Sequence, residues 1–484
     1  MVFSSHLFLF YFLPVALGVY YVLPRRWRHL GLTILSYIFY GWANPLFVVL
    51  MFASTMIDYL CGLALSGQFR RGAWSEPVPH LQAGGPRTRA QKAALVATLC
   101  SNLALLGFFK YFNFASENMD ALCRWLGIGG LDLTLKVVLP LGISFYTFQS
   151  MSYGIDVYRG HARAIRNFID YACYVSMYPQ LVAGPIIRFS EVASQLRNRT
   201  HTVEKFSRGV SFIALGLAKK VLLANPCGKI ADVAFGAGSI HTVDAWFGAA
   251  AYAFQIYFDF SAYSDMAIGL GLTMGFVFAK NFDSPYRAVS ITDFWQRWHL
   301  SLSTWLRDYL YIPLGGNRKG DVRTYVNLSM VMLLGGLWHG ASWTFLIWGG
   351  IHGAMLVLER FQGKNAVYHA LPRALRVGVT FALLLFTWVF FRAEDLPHAL
   401  RYGASMVGLG EGGGGADLLA GVLYKPYYLG TFLAAAVVTW TFPQVWDWTR
   451  TITWPKAVVI LVVLMVALVV LATQAYNPFI YFIF

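Results

Sequence analysis

Apolar residues in this chain come in blocks about one bilayer long, separated by short polar links, and that rhythm predicts an all-helical protein crossing a membrane many times. The blocks fall near residues 3–23, 30–65, 93–114, 133–157, 168–187, 208–224, 245–275, 325–347, 348–360, 373–392, 428–446 and 456–475. A helix needs roughly 20 apolar residues to span the hydrocarbon core. The 30–65 block is long enough for two helices broken near Asn44-Pro45, and the whole pattern predicts about eleven or twelve passes. Two blocks carry Gly/Pro breaks, VLPLGIS at 138–144 and YPQLVAGPI at 178–186. Irregular backbone at membrane depth is tolerated where protein covers it or it lines a cavity, so both are candidate re-entrant or half-helix elements. The 66–92 segment, with GGPR and two other prolines, reads as a flexible cytoplasmic connection. GLGEGGGGADLLAG (408–421) reads as a glycine-rich loop. It lacks the Lys-Ser/Thr of a phosphate-binding loop.

Composition agrees with the pattern. Of 484 residues, 57% are hydrophobic and only 13% charged, against about 25% charged in ordinary soluble chains. That deficit favours one large membrane domain over 1–484 rather than two or three soluble ones. The net charge of +15 sits in short clusters beside apolar blocks, such as PRRWRH (24–29) and RGHARAIR (159–166). Positive charge beside spans is the mark of cytoplasmic loops, and no basic–aromatic stripe for nucleic acid accompanies it. Membrane lipids are the implied surroundings. The first block lacks a basic n-region and is followed by Arg25, Arg26 and Arg28, which predicts an uncleaved first span with its N-terminus outside. Five scattered cysteines without a CxxC predict buried free thiols, not a disulfide framework.

Candidate chemistry concentrates in Tyr257–His352. An ionisable group at membrane depth is costly and tends to face a cavity, a partner or a substrate path. His339 lies in LLGGLWHGAS among glycines; a desolvated, neutral imidazole there suits a general base, and a hydrogen-bonded core histidine is the alternative. His299 lies in FWQRWHLSLSTWLRDYLYIPLGG. On a continuous helix Ser303 and Arg307 would follow it at i+4 and i+8, roughly on one face. An amphipathic interfacial helix is the alternative for this segment. Asp293 and Arg297 form an expected i,i+4 salt bridge, and Trp295, Trp298 and Trp305 are either interfacial anchors or the wall of a ligand tunnel. Asp259 and Asp265, six residues apart, do not face one another on a helix; Ser261 and Asp265 are placed to share a hydrogen bond. Three histidines, His299, His339 and His352, are enough to hold zinc, but no HExxH spacing accompanies them and no metal is expected. No GxSxG elbow marks a serine hydrolase.

The stretches YFDFSAYSDMAIGLGLTMGF (257–276), DFWQRWHLSLSTWLRDYLYIPLGGNRKG (293–320) and MLLGGLWHGASWTFLIWGGIHG (332–353) resemble the membrane-bound O-acyltransferase family, in its alginate O-acetyltransferase branch. The resemblance extends to MYPQLVAGPIIRFSEV (177–192), WVFFRAEDL (388–396) and NPFIYFIF (477–484). It implies a ring of tilted helices, with re-entrant or interfacial helices, around a central funnel, and a catalytic core at about 138–360. His339 matches the family's near-invariant histidine and His299 the second, upstream one. Arg307, Asn317, Ser303, Asp265, Trp298 and Trp338 are the candidate donor- or substrate-binding residues. No cofactor is implied; acetyl-CoA or another acetyl thioester is the implied cytoplasmic donor. The implied acceptor is a periplasmic acetyltransferase partner that decorates an exopolysaccharide, with alginate foremost, from the bacterial inner membrane. Another glycan such as cellulose or peptidoglycan, or D-alanyl transfer, uses the same chemistry. A transporter or export channel without chemistry is the alternative of a different class, as is a scaffold for an export complex.

Overall fold

The computed structural model describes residues 1–70, 74–130, 135–363, 370–410 and 416–479. Among these, every regular element is a helix, as the apolar blocks predict. The chain forms two compact units: Met1–Phe206 with Leu270–Ala279, and Ser207–Gly269 with Lys280–Phe484.

The first unit holds α1 (Leu13–Val22), α2 (Arg28–Gly41), α3 (Pro45–Leu65), α4 (Arg89–Trp125), α5 (Ile143–Arg159), α6 (Phe168–Ser176), α7 (Tyr178–Leu181) and α8 (Phe189–Arg197). The expected break in the 30–65 block separates α2 from α3. There the Asn44 side chain accepts the Leu46 N–H at 3.0 Å, and Pro45 occupies the first helical position, where no N–H is needed. Both expected breaks are present in the backbone. Gly142 turns into α5 with φ 76°, and a Cβ there would overlap the Leu181 carbonyl. The 178–186 stretch keeps only the single turn α7. Asp58 of α3 is buried and receives the Thr98 hydroxyl and, at 2.8 and 2.9 Å, the Asn102 amide of α4. A buried carboxylate is costly unless hydrogen-bonded, so this clasp joins α3 and α4. The 66–92 connection is strapped down rather than loose. Arg166 donates to Gln68 and to the Trp74 and Glu76 carbonyls, and Arg87 to the Tyr158 carbonyl; residues 71–73 lie outside the described residues.

The second unit contains α9 (Val203–Ala218), which passes through a π-helical turn at Lys219–Ala224 into α10 (Asn225–Phe235). Next come α11 (Thr242–Thr273), α12 (Ile291–Trp295), α13 (Leu300–Leu306), α14 (Asp321–His339), α15 (Trp343–Gln362) and α16 (Arg373–Arg392). They are followed by α17 (Leu396–Met406), α18 (Ala416–Leu423), α19 (Pro426–Thr441), α20 (Val445–Trp448) and α21 (Trp454–Thr473). Helix α18 corrects the loop reading of 408–421: the run ADLLAGVL after the glycines has enough apolar positions for two turns. Residues 411–415 of that loop, and 480–484 of the C-terminal motif, lie outside the described residues.

Five helical stretches among the described residues are long and apolar enough to cross a membrane: Pro45–Leu65, Arg89–Trp125, Val203–Phe235, Arg373–Arg392 and Trp454–Thr473. The remaining apolar blocks are shorter or more polar helices. Helix α5 shows why: all but two of its 17 residues are buried, and a helix enclosed by protein has no need of an apolar face toward lipid.

Candidate functional site

His339 ends α14, the chain runs on to α15 through Gly340-Ala341-Ser342, and the imidazole is 8% exposed. Its ring packs edge-on against Trp338, Trp348 and Phe391, with centroids 4.9, 5.4 and 5.2 Å apart. It borders a cavity of about 510 Å³ whose wall also includes Ser303, Arg307, Tyr311, Gly335 and Trp348. That volume falls in the ~300–1,000 Å³ range of small-molecule sites. A mostly apolar wall with a few polar groups, one of them an imidazole, suits a site that desolvates a reacting bond.

His299 is fully buried and sits at the N-cap of α13 in the left-handed region, φ 45°. A positive φ is uncommon for a residue with a Cβ and persists only where its surroundings enforce it. Asn281 does so: its carbonyl accepts the Leu300 N–H at 2.8 Å and its side-chain oxygen the Ser301 N–H at 3.1 Å. The same Oδ1 lies 3.2 Å from His299 Nδ1, while Nε2 has no hydrogen-bond partner among the described residues. The Phe260 ring meets the imidazole edge-on at 4.6 Å, and Trp338 lies 6.1 Å away. His299 is outside the membrane-length helices. Burial first, and the neighbouring His339 second, hold its pKa well below the ordinary imidazole value, so the ring is neutral at physiological pH.

The expected single helix through residues 299, 303 and 307 is not what forms. The chain turns at His299, α13 starts at Leu300, and a π-helical turn at Arg307–Tyr311 follows. Ser303 and Arg307 still reach the cavity beside His339; His299 is not part of its wall. The Ser303 hydroxyl donates to the Trp298 carbonyl at 3.2 Å, and Arg307 pairs with Asp308 at 2.7 Å.

The other candidates divide. Trp338 lies in ring contact with both histidines. Trp298 is buried against Phe294 and Trp388, at 5.4 and 5.1 Å, as part of the aromatic core. Asp265 pairs with Lys219 at 2.7 Å and Ser261 Oγ has no partner among the described residues, so the expected Ser261–Asp265 bond is replaced by an ion pair. Neither Asp265 nor the exposed Asn317 borders the cavity. The expected Asp293–Arg297 pair is present at 2.7 Å. His352 is tied between Trp295 Nε1 at 3.3 Å and the Thr387 hydroxyl at 3.2 Å, the satisfied core histidine of this unit.

Sequence reasoning did not single out Asn281, Tyr311 or the pair Lys219 and Lys220. For the lysines a signal existed: two adjacent cations inside the 208–224 apolar block demand buried counterions. Asp265 meets Lys219, and Asp259 meets Lys220 at 2.8 Å. Asn281 carried no such signal.

Comparison with known proteins adds the family context. A family model described as MBOAT, membrane-bound O-acyltransferase family, matches residues 159–392. The chain is 44% identical over 512 aligned residues to a probable alginate O-acetylase AlgI of Pseudomonas putida, covering 100% of both chains. It is 48% identical to the protein of the same description from Pseudomonas aeruginosa, over 85% of this chain and 75% of that one. A peptidoglycan O-acetyltransferase of Helicobacter pylori is 36% identical over 84% of this chain and 80% of its own.

Proposed function

Because the chain belongs to the membrane-bound O-acyltransferase family, we propose that it transfers an acetyl group from a cytoplasmic thioester, acetyl-CoA, toward O-acetylation of an exopolysaccharide, with alginate the polymer. The chain is a multi-pass membrane O-acyltransferase, which sets aside the reading of a channel or scaffold without chemistry. The similarity to alginate O-acetylases, with full-length coverage of one of them, supports alginate as the polymer. The immediate acceptor is a hydroxyl on a periplasmic acetyltransferase partner, and the protein works in the inner membrane with residues 1–484 as one functional domain.

The observation that carries the reading is His339 at the edge of the 510 Å³ cavity, with Ser303 and Arg307 in the same wall. His339 takes the proton of the attacking hydroxyl as its oxygen bonds to the thioester carbonyl carbon. The tetrahedral oxyanion collapses, the C–S bond breaks, and the proton passes from the imidazolium to the departing thiolate. Thioester and alcohol become ester and thiol, with no other reactant. Arg307 supplies positive charge for a phosphate-bearing donor, and the net charge of +15 favours its approach.

The test is acetyl transfer from radiolabelled acetyl-CoA by the purified, detergent-solubilised protein, wild type beside His339→Ala and His299→Ala, with candidate periplasmic partners added. Label passed to a hydroxyl acceptor by the wild type and lost in His339→Ala is the expected result. Transfer that persists in a folded His339→Ala protein would overturn the assignment of the base. No transfer by the wild type with any partner would overturn acetyl-CoA as donor.

A further inference from the structure

We propose that Asn281 is a positioning residue for His299, holding its imidazole as the Nδ1–H tautomer so that Nε2, on the far side of the ring, carries the bare lone pair. The inference rests on the acyltransferase reading of the site and assigns a task to a residue outside the cavity wall.

Three donors converge on Asn281 Oδ1: the Ser301 N–H at 3.1 Å, the Ser301 hydroxyl at 2.9 Å and His299 Nδ1 at 3.2 Å. A backbone N–H can only donate, so the amide atom it meets is the oxygen, and the orientation of the amide is fixed by that bond. An amide oxygen can only accept, so the bond from the ring requires a proton on Nδ1. Ser301 Oγ also lies 3.3 Å from Nδ1, but its proton is directed to the shorter contact with Asn281. The Nδ1–H tautomer is the one in which no two lone pairs are opposed.

The consequence falls on the far side of the ring. Nε2 is buried and has no hydrogen-bond partner among the described residues, an arrangement that is costly unless the atom serves a purpose. The Asn281 Nδ2 is likewise buried without a partner among the described residues. An amide whose oxygen serves three donors while its nitrogen serves none is placed for what it holds. The grip is double, since the Asn281 carbonyl takes the Leu300 N–H at 2.8 Å and so secures the left-handed turn at His299. Packed around the ring are Phe260 from α11, Phe282, and Trp338 from α14. The titratable group that acts on it is His339.

The experiment compares wild type, Asn281→Ala and Asn281→Asp, each as the full chain in detergent. It uses two readouts: the ¹⁵N-histidine NMR signal of His299, assigned by its loss in His299→Ala, and the pH profile of acetyl transfer. Wild type is expected to show a protonated Nδ1 and a bare Nε2. Asn281→Ala should lose that pattern and about 10–100-fold in kcat, with KM for the thioester little changed. Asn281→Asp keeps the acceptor and the fold. Its carboxylate stabilises the imidazolium, so the pH below which activity is lost should rise by about one unit or more. A merely structural role would lower the amount of active protein and leave the profile in place. A wild-type Nε2–H signal, or an unshifted Asn281→Asp profile with full activity in Asn281→Ala, would overturn the proposal. Were no variant to transfer acetyl, the acyl-transfer reading would fail, and the tautomer signal would still decide for or against Asn281.

Discussion

Gly336 of α14 and Gly349 of α15 meet backbone to backbone: a Cβ built on Gly336 would lie 3.2 Å from the Gly349 Cα and overlap the Phe345 carbonyl, and one on Gly349 would overlap the Met332 carbonyl. This crossing brings α15 close enough for Trp348 to pack against His339 at the end of α14. Gly336→Ala is expected to push the helices apart and cost about 1–3 kcal/mol through overpacking. Helical ellipticity followed on heating in detergent should show an earlier transition, and acetyl transfer should fall with it. An unchanged melting curve would mean that the crossing tolerates a methyl group.

Gly335, one residue earlier, borders the cavity, and the nearest atom to a Cβ there is Leu306 Cδ1 at 3.7 Å. Gly335→Leu should therefore leave the helix crossing intact and fill the space proposed for the donor. The expected outcome is a rise of about tenfold or more in KM for the thioester, equivalent to at least ~1.4 kcal/mol of lost binding, with an unaltered melting temperature. Steady-state kinetics with acetyl-CoA would read it. An unchanged KM would remove the donor from this cavity.

Lys220 and Asp259 are 5% and 1% exposed and lie 2.8 Å apart, and the Lys220 ammonium also donates to the Pro478 carbonyl. Removing one member of a buried pair strands the other charge and costs about 3–5 kcal/mol, whereas replacing both by apolar groups is often close to neutral. Lys220→Met should thus be strongly destabilised. The double variant Lys220→Met with Asp259→Leu should recover most of the loss. Thermal unfolding of the three proteins side by side checks this; a double variant as unstable as the single would assign the lysine a role beyond charge balance.

His201, in the link before α9, is half-buried; Tyr20 Oη lies 2.9 Å from its Nε2. Burial first, then the cations Arg199, Arg28, Arg25 and Lys205, push its pKa below the ordinary value. The unfolded chain binds a proton below about pH 6.5 that the folded state refuses. His201 therefore favours folding above that pH, and its contribution falls away as the pH drops through it. His201→Asn should melt with a shallower dependence on pH between about 7 and 5.5 than wild type. Parallel curves for the two proteins would count against it.

The parts of this protein that could be read without coordinates are those set by local composition. The break at Asn44-Pro45 was legible because capping and the missing proline N–H act within a few residues. The Asp293–Arg297 pair was legible because it spans one helical turn. The reading of 299–307 as one helix failed for the complementary reason. Its spacing is helical, but Asn281, 18 residues upstream, pulls the chain into a left-handed turn at His299.

By itself the sequence determined the class of protein and singled out a candidate for its reactive group. Partition of apolar blocks into a bilayer is roughly additive along a chain, so an all-helical membrane protein was written in composition and period. A histidine among glycines and tryptophans in such a block was a functional candidate on cost alone. Only the tertiary structure decided which side chains share a space. Ser303, Arg307 and His339 border one cavity, Lys219 and Lys220 meet Asp265 and Asp259, and Asn281 grips His299. Each of these depends on where the backbone returns after a turn, and the price of burying a polar group in apolar surroundings selects the partner it finds there.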